Sequence, residues 1–236
     1  MTIRIAAWSG PRNMSTAMMR AWENRPDTSV MDEPLYAASM AVTGIDHPMR
    51  SEILAAGPTD FDAAVMACLA PLTDGAEISY QKHMAHHLLD QFDRSWLDDL
   101  VHVLLIRNPR RVLASYVKVW DEVTVADIGL PQQIELAERA VLIVDSDEFL
   151  TNPKAYLSEM CDRVGVPFDD KMLAWPKGKR DTDGAWAPAW YSAVEESTGF
   201  GPPPSSEPAP LRPDLEPVAV EAESLYHQLY SRRYVA

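Results

Sequence analysis

Cysteine is nearly absent: Cys68 and Cys161 are the only two among 236 residues and lie far apart. That excludes a disulfide framework, a Cys-x-x-Cys redox pair and a cysteine-rich metal knuckle, and it fits a reducing cytoplasm. Long apolar runs are missing too. No stretch approaches the roughly 18 residues of a membrane span, and the N-terminus has no basic region followed by an apolar core, so neither a membrane partner nor export is expected. Positive charge is scarce. With 21 Lys and Arg against 35 Asp and Glu, the net charge of −14 would repel a nucleic-acid backbone. Against that background two basic clusters stand out: Arg107, Arg110 and Arg111, and Lys177, Lys179 and Arg180.

What is present is the alternation of strand and helix signals. Ile3–Ser9 reads as a buried strand stopped by Gly10 and Pro11, followed by a helix capped by Ser15 or Thr16 and running to about Glu23. Further strands are expected at Thr28–Asp32, Glu77–His83, in the apolar run Leu100–Pro109 and from Ala140. Helices are expected in a broken pattern over 46–72, through His86–Phe92, over Arg110–Trp120 and Pro131–Ala140, and from a cap at Thr151 or Asn152 to a stop at Gly165 and Pro167. This order predicts an α/β fold of three layers, α/β/α, with a mainly parallel central sheet of the P-loop nucleotide-binding type. One α/β domain is expected over 1–198, a proline-rich lid or linker over 199–217, and a closing helix over 218–236 packed on the same domain. Ligands of such sheets sit beyond the carboxyl ends of the strands.

The first strand ends in Gly10-Pro11-Arg12-Asn13-Met14-Ser15-Thr16. A triphosphate loop would offer Gly-Lys-Ser/Thr there, with the hydroxyl on magnesium. Here the lysine is missing, yet a strand, turn and helix still aim backbone N–H groups and the positive helix end at an anion. The loop resembles the Pro-Lys-Ser-Gly-Thr-Thr motif of the sulfotransferases that use 3′-phosphoadenosine 5′-phosphosulfate, with Arg12 in the place of lysine. A second resemblance lies in "RNPRRVLASY", where Arg107, Asn108, Pro109, Val112, Ser115 and Tyr116 match that family's 3′-phosphate motif. A third joins Pro176-Lys177-Gly178 and Asp183-Gly184-Ala185-Trp186 to the family's Arg-Lys-Gly and Gly-Asp-Trp. The matches follow the family's order over nearly the whole chain.

The resemblance implies that Arg12, Asn13, Met14, Ser15 and Thr16 hold the phosphosulfate, that Arg107 and Ser115 hold the 3′-phosphate, and that Lys177 and Gly178 add to the nucleotide site. The bisphosphate is the implied product, and no metal takes part. For the proton of the acceptor two bases compete. Glu33, in "DEPLYA", resembles the Glu-Pro segment of carbohydrate sulfotransferases; His83, in "YQKHMAHH", resembles the Lys-Thr-His segment of cytosolic ones. Histidine needs no tuning near neutral pH, whereas Glu33 would need the apolar setting that Met31, Leu35 and Tyr36 provide. The neighbours of Glu33 favour it slightly. Either residue could be structural instead, Glu33 as a helix cap. His83, His86 and His87 are weighed as a metal cluster and set aside, since adjacent helical positions diverge and no carboxylate sits at ligand spacing. Trp120, Trp175, Trp186 and Trp190 are candidates for an acceptor or adenine wall, or for packing.

The leading expectation is therefore a sulfotransferase acting on a hydroxyl or amine of a small molecule or carbohydrate. The alternatives are a P-loop-type small-molecule kinase, and a protein of the same fold that binds nucleotide without turnover. The sequence leaves the oligomeric state open, a homodimer included.

Overall fold

In the computed structural model, which describes residues 2–204, 207–208 and 210–236, five strands form one parallel sheet in the order β2-β3-β1-β4-β5. The strands are β1 Ile3–Ser9, β2 Thr28–Asp32, β3 Ile78–Met84, β4 Val101–Ile106 and β5 Ala140–Asp145. Both faces are buried because the strand residues are apolar on both sides, and alternation sorts them into two cores. Ala6, Trp8, Leu104, Ile106 and Ile143 enter one; Ile5, Ala7, Val103, Leu105, Leu142 and Val144 enter the other.

Eleven helices are described: α1 Ser15–Glu23, α2 Tyr36–Thr43, α3 Arg50–Ala56, α4 Phe61–Leu69, α5 Pro109–Tyr116, α6 Leu130–Leu136, α7 Ser146–Phe149, α8 Pro153–Val164, α9 Ala187–Trp190, α10 Ser192–Glu195 and α11 Glu216–Tyr230. The caps are local and readable. Asn108 accepts from the N–H groups of Arg110 and Arg111 with Pro109 at the first helical position, and Asn152 caps α8, which ends on left-handed Gly165. The start of α1 differs from expectation. Neither Ser15 nor Thr16 caps it; the N-cap is Met14, no side chain caps the helix, and the N–H of Met14 is held instead by Asn13 Oδ1 at 2.7 Å.

The helix expected at 86–92 is a single 3-10 turn, Ala85–His87. Its path is set from outside: a side chain on Gly129 would stand 3.0 Å from His86 N and 3.1 Å from Ala85 Cβ, so the two backbones meet at a glycine. In the proline-rich segment Ser205, Ser206 and Ala209 lie outside the described residues. The closing helix α11 runs Glu216–Tyr230 and leaves 231–236 outside it, shorter at its end than the expected 218–236, and it ties to the sheet through Tyr226 Oη, which donates to Asp145 Oδ2 at 2.8 Å. Among the described residues no helix is long and apolar enough to cross a membrane.

The turn after β1 has no room for a side chain at its glycine. A Cβ on Gly10 would lie 2.4 Å from the carbonyl oxygen of Ile128. Gly10→Ala is expected to cost about 1–3 kcal/mol, as overpacking does when a backbone atom must give way. Chemical denaturation of the purified variant checks it; an unchanged midpoint would mean that the turn yields freely.

Candidate functional site

Beyond the carboxyl edge of the sheet lies a cavity of about 530 Å3. Its floor is the loop after β1. Pro11, Arg12, Asn13, Met14, Ser15 and Thr16 line it, and so do Arg107 at the end of β4 and Ser115 on α5. Two motifs about a hundred residues apart close on each other here: Arg12 Nε donates to Ser115 Oγ at 2.8 Å, and Arg107 Nη1 donates to the carbonyl of Arg12. Arg12 carries a left-handed φ of 56°, which a non-glycine residue adopts only when its surroundings hold it there. Asn13 fixes the loop from below by donating to the carbonyl of Leu105 at 2.9 Å and accepting from Ser146 Oγ. The result is a cradle of two guanidiniums, three hydroxyls and an uncapped helix start, a donor set for anions.

The opposite wall grows from the ends of β2 and β3. Register places Asp32 beside Lys82, and the buried Lys82 ammonium donates to Asp32 Oδ1 at 2.8 Å, Glu33 Oε1 at 2.5 Å and Tyr191 Oη at 2.7 Å. Glu33 continues the ladder through its own N–H to the carbonyl of Lys82, then turns to a φ of 41°, so its carboxylate swings into the cavity. Burial pushes the Glu33 carboxyl up to about 7; Lys82 pulls it back in part, and Asp32 adds to the rise. Burial alone would favour neutral lysine, but Asp32 and Glu33 outweigh it and hold Lys82 charged, well above its ordinary value. Asp32 is gripped further by Tyr191 Oη at 2.7 Å and by the N–H of Gly184 at 3.0 Å.

His83 does not reach this cavity. Lys82 and Met84 face it, so the residue between them points to the other side of the sheet. There the His83 ring stacks on Trp8 at 4.2 Å, its Nε2 lies 3.2 Å from Gln81 Oε1, and burial drives its pKa down to about 3. The histidine beside Glu33 is His87, whose Nδ1 stands 3.9 Å from Glu33 Oε2. Lys177 and Gly178 are also elsewhere: Lys177 pairs with exposed Glu196 at 3.1 Å, and Gly178 donates its N–H to the carbonyl of Glu195. Of the other arginines in the two basic clusters, Arg110 pairs with Glu216 and Glu223, Arg111 with Asp147 and Arg180 with Glu23, and Arg107 itself stands 3.6 Å from Asp147 Oδ1. Among the described residues no group of three or more His, Cys, Asp or Glu side chains is placed to hold a metal ion.

The family model described as "Sulfotransferase domain" matches residues 3–232. The chain belongs to the sulfotransferase domain family. Its membership supports sulfuryl transfer as the general chemistry of the cavity. This sulfotransferase domain is also 34% identical over 205 residues to two Arabidopsis thaliana proteins, branched-chain-amino-acid aminotransferase-like proteins 1 and 2. Those matches cover 84% of this chain but 37% and 36% of the relatives, so the chain spans little more than a third of their length. Among solved structures it is similar to the sulfotransferase domain from the curacin biosynthetic pathway, with TM-score 0.53, 15% identity, and 100% and 99% of the two chains covered. It is likewise similar to a sulfotransferase from Alicyclobacillus acidocaldarius, with TM-score 0.55, 14% identity, and 100% and 98% covered. At such identities the likeness concerns the fold.

Within this sulfotransferase domain the sequence points to the cradle and to the apolar neighbours of Glu33, but not to the polar network of Lys82, Asp32 and Tyr191 around it. Lys82 was visible only as a neighbour of His83, and Asp32 and Tyr191 carried no motif. The signal for the first pair was the two-residue strand period, which the register of β2 against β3 turns into an ion pair.

Proposed function

We propose that this chain moves a sulfuryl group from 3′-phosphoadenosine 5′-phosphosulfate to a hydroxyl of a small-molecule acceptor, without a metal. The observation that carries the reading is the closure of Arg12 on Ser115 beside Arg107, which joins both resembling motifs in one anion cradle facing Glu33. Its donor set fits the co-substrate: two guanidiniums and the Ser115, Ser15 and Thr16 hydroxyls for two anionic groups. Arg12 and the loop amides hold the phosphosulfate end, Arg107 and Ser115 the 3′-phosphate, and Glu33 takes the acceptor proton. Lys82 keeps the Glu33 carboxylate oriented and ionised. Cys68 and Cys161 are free, buried thiols, in keeping with a reducing cytoplasm.

Adenosine 3′,5′-bisphosphate at about 100 times its dissociation constant is expected to stabilise the protein by roughly 2.7 kcal/mol, which for a chain of this size raises Tm by roughly 5–10 °C. Arg107→Ala should remove most of that shift. The measurement is a thermal melt with the bisphosphate beside one with ADP and magnesium. Stabilisation by ADP and magnesium alone would sink the reading and favour a kinase.

A further inference from the structure

The guanidinium of Arg107 does not stand alone in the cradle. Arg107 follows β4, lines the cavity and donates through Nη1 to the carbonyl of Arg12. Behind it stands Asp147, the second residue of α7, whose Oδ1 lies 3.6 Å from Arg107 Nε. The other oxygen of that carboxylate meets Arg111 Nε of α5 at 2.9 Å. Asp147 is not among the residues that line the cavity, so it reaches a ligand only through Arg107.

Asp147 gives this arginine charge rather than position. The 3.6 Å separation is too long for a hydrogen bond, Oδ1 is buried without a hydrogen-bond partner, and Arg107 is already aimed by the carbonyl of Arg12. Nor can the carboxylate swing away when an anion arrives. Its own N–H is held by Asp145 Oδ1 at 3.0 Å, Ser146 before it donates to the carbonyl of Ile106 at 2.9 Å, and Glu148 after it is gripped by Arg233 Nη2 at 2.7 Å and Tyr230 Oη at 2.6 Å. The side chains of Arg107 and Asp147 are 29% and 21% exposed, so water screens their attraction only in part. A phosphate drawn to Arg107 therefore meets a guanidinium whose field is already opposed by a fixed negative charge on its far side.

We propose that Asp147 sets the affinity for the 3′-phosphate by opposing the field of Arg107, so that a 3′-phosphorylated nucleotide is held less tightly than the arginines alone would hold it; this rests on the placement of that phosphate at Arg107. Donor and product carry the same 3′-phosphate, and the product must leave in every cycle. Because affinity differences fall mainly on the dissociation rate, a tempered grip at Arg107 shortens the stay of the bisphosphate. The 5′ end, held by Arg12 and the loop amides, is insensitive to Asp147.

The test is calorimetric titration of the unaltered protein, Asp147→Asn and Asp147→Glu with adenosine 3′,5′-bisphosphate and with adenosine 5′-phosphate. Asparagine keeps the shape and an acceptor for Arg111 but removes the charge. Bisphosphate affinity is expected to rise about fivefold, the upper end for a partly exposed charge pair, while 5′-phosphate affinity stays within about twofold. Asp147→Glu, which restores the charge, should match the unaltered protein within about twofold for both ligands. Weaker bisphosphate binding by Asp147→Asn would make the carboxylate a support for Arg107, and an equal change for both nucleotides would make it a general prop of the site; either overturns the proposal. Failure of the phosphate placement looks different. If neither the unaltered protein nor Asp147→Asn favours the bisphosphate over the 5′-phosphate, Arg107 does not hold the 3′-phosphate and the proposal falls with that placement, whereas a preference that asparagine leaves unchanged sinks the proposal alone. Asp147→Ser takes the place of Asp147→Asn if that variant does not fold.

Discussion

Glu33→Gln is expected to lower turnover by about 10²–10⁴-fold while leaving bisphosphate affinity within about twofold, the range general-base catalysis contributes. The carboxylate projects into the cavity on a φ of 41°, and glutamine keeps its shape but cannot take a proton. Because the base acts when ionised, kcat should rise with pH and level off above about 7, where burial has placed the Glu33 carboxyl. Two neighbours should move that limb in opposite directions. Lys82→Met removes the ammonium that lowers the Glu33 pKa, so the limb moves to higher pH. Asp32→Asn removes a like charge and frees Lys82 for Glu33, so the limb moves to lower pH. Damage to the fold has no reason to produce opposite signs. Turnover and bisphosphate titration of each variant over pH 5–9 decide it: a flat profile, or a glutamine variant above a tenth of normal activity, would remove Glu33 from the role.

The parts of this site that were legible in the sequence are those built by local chemistry. The extent of β1, Ile3–Ser9, and of β2, Thr28–Asp32, follows from apolar content and from the residues that stop them. The turn from Arg107 into α5 is written in Asn108 and Pro109, a cap and a first helical residue. Direction across a sheet is another matter. Lys82 and His83 are adjacent, and either could face the ligand edge until the pairing of β3 with β1 and β2 is known; a shift by one residue would exchange them. Arg110 looked like part of a basic patch because Glu216 and Glu223, which neutralise it, lie more than a hundred residues later. Helix α2 went unread, and the 3-10 turn at Ala85–His87 replaced an expected helix because Gly129, far along the chain, sets its path. In each case the missing information was a tertiary partner.

The segment Asp183-Gly184-Ala185-Trp186 makes the same point and yields the second large effect. In sequence it sits with a nucleotide motif; in the fold its carboxylate meets Arg20 of α1, a side chain 1% exposed, at 2.6 Å. Gly184 then donates to Asp32, and Trp186 to Tyr191. One buried ion pair therefore ties the helix behind the anion cradle to the wall that carries Glu33. Asp183→Asn keeps the shape and an acceptor for the N–H of Arg180 but leaves the guanidinium without its carboxylate. Removing one partner of a buried pair costs about 3–5 kcal/mol, and Glu23, 3.4 Å from Arg20, compensates enough to set the expectation at the lower end, about 3 kcal/mol. Replacing both partners with apolar residues, Arg20→Met with Asp183→Leu, should recover most of that loss, since no uncompensated charge remains. Denaturant midpoints at constant m-value separate the two results. A loss below about 1 kcal/mol in Asp183→Asn would mean that water reaches Arg20 and that the wall is held by its hydrogen bonds to Asp32 instead.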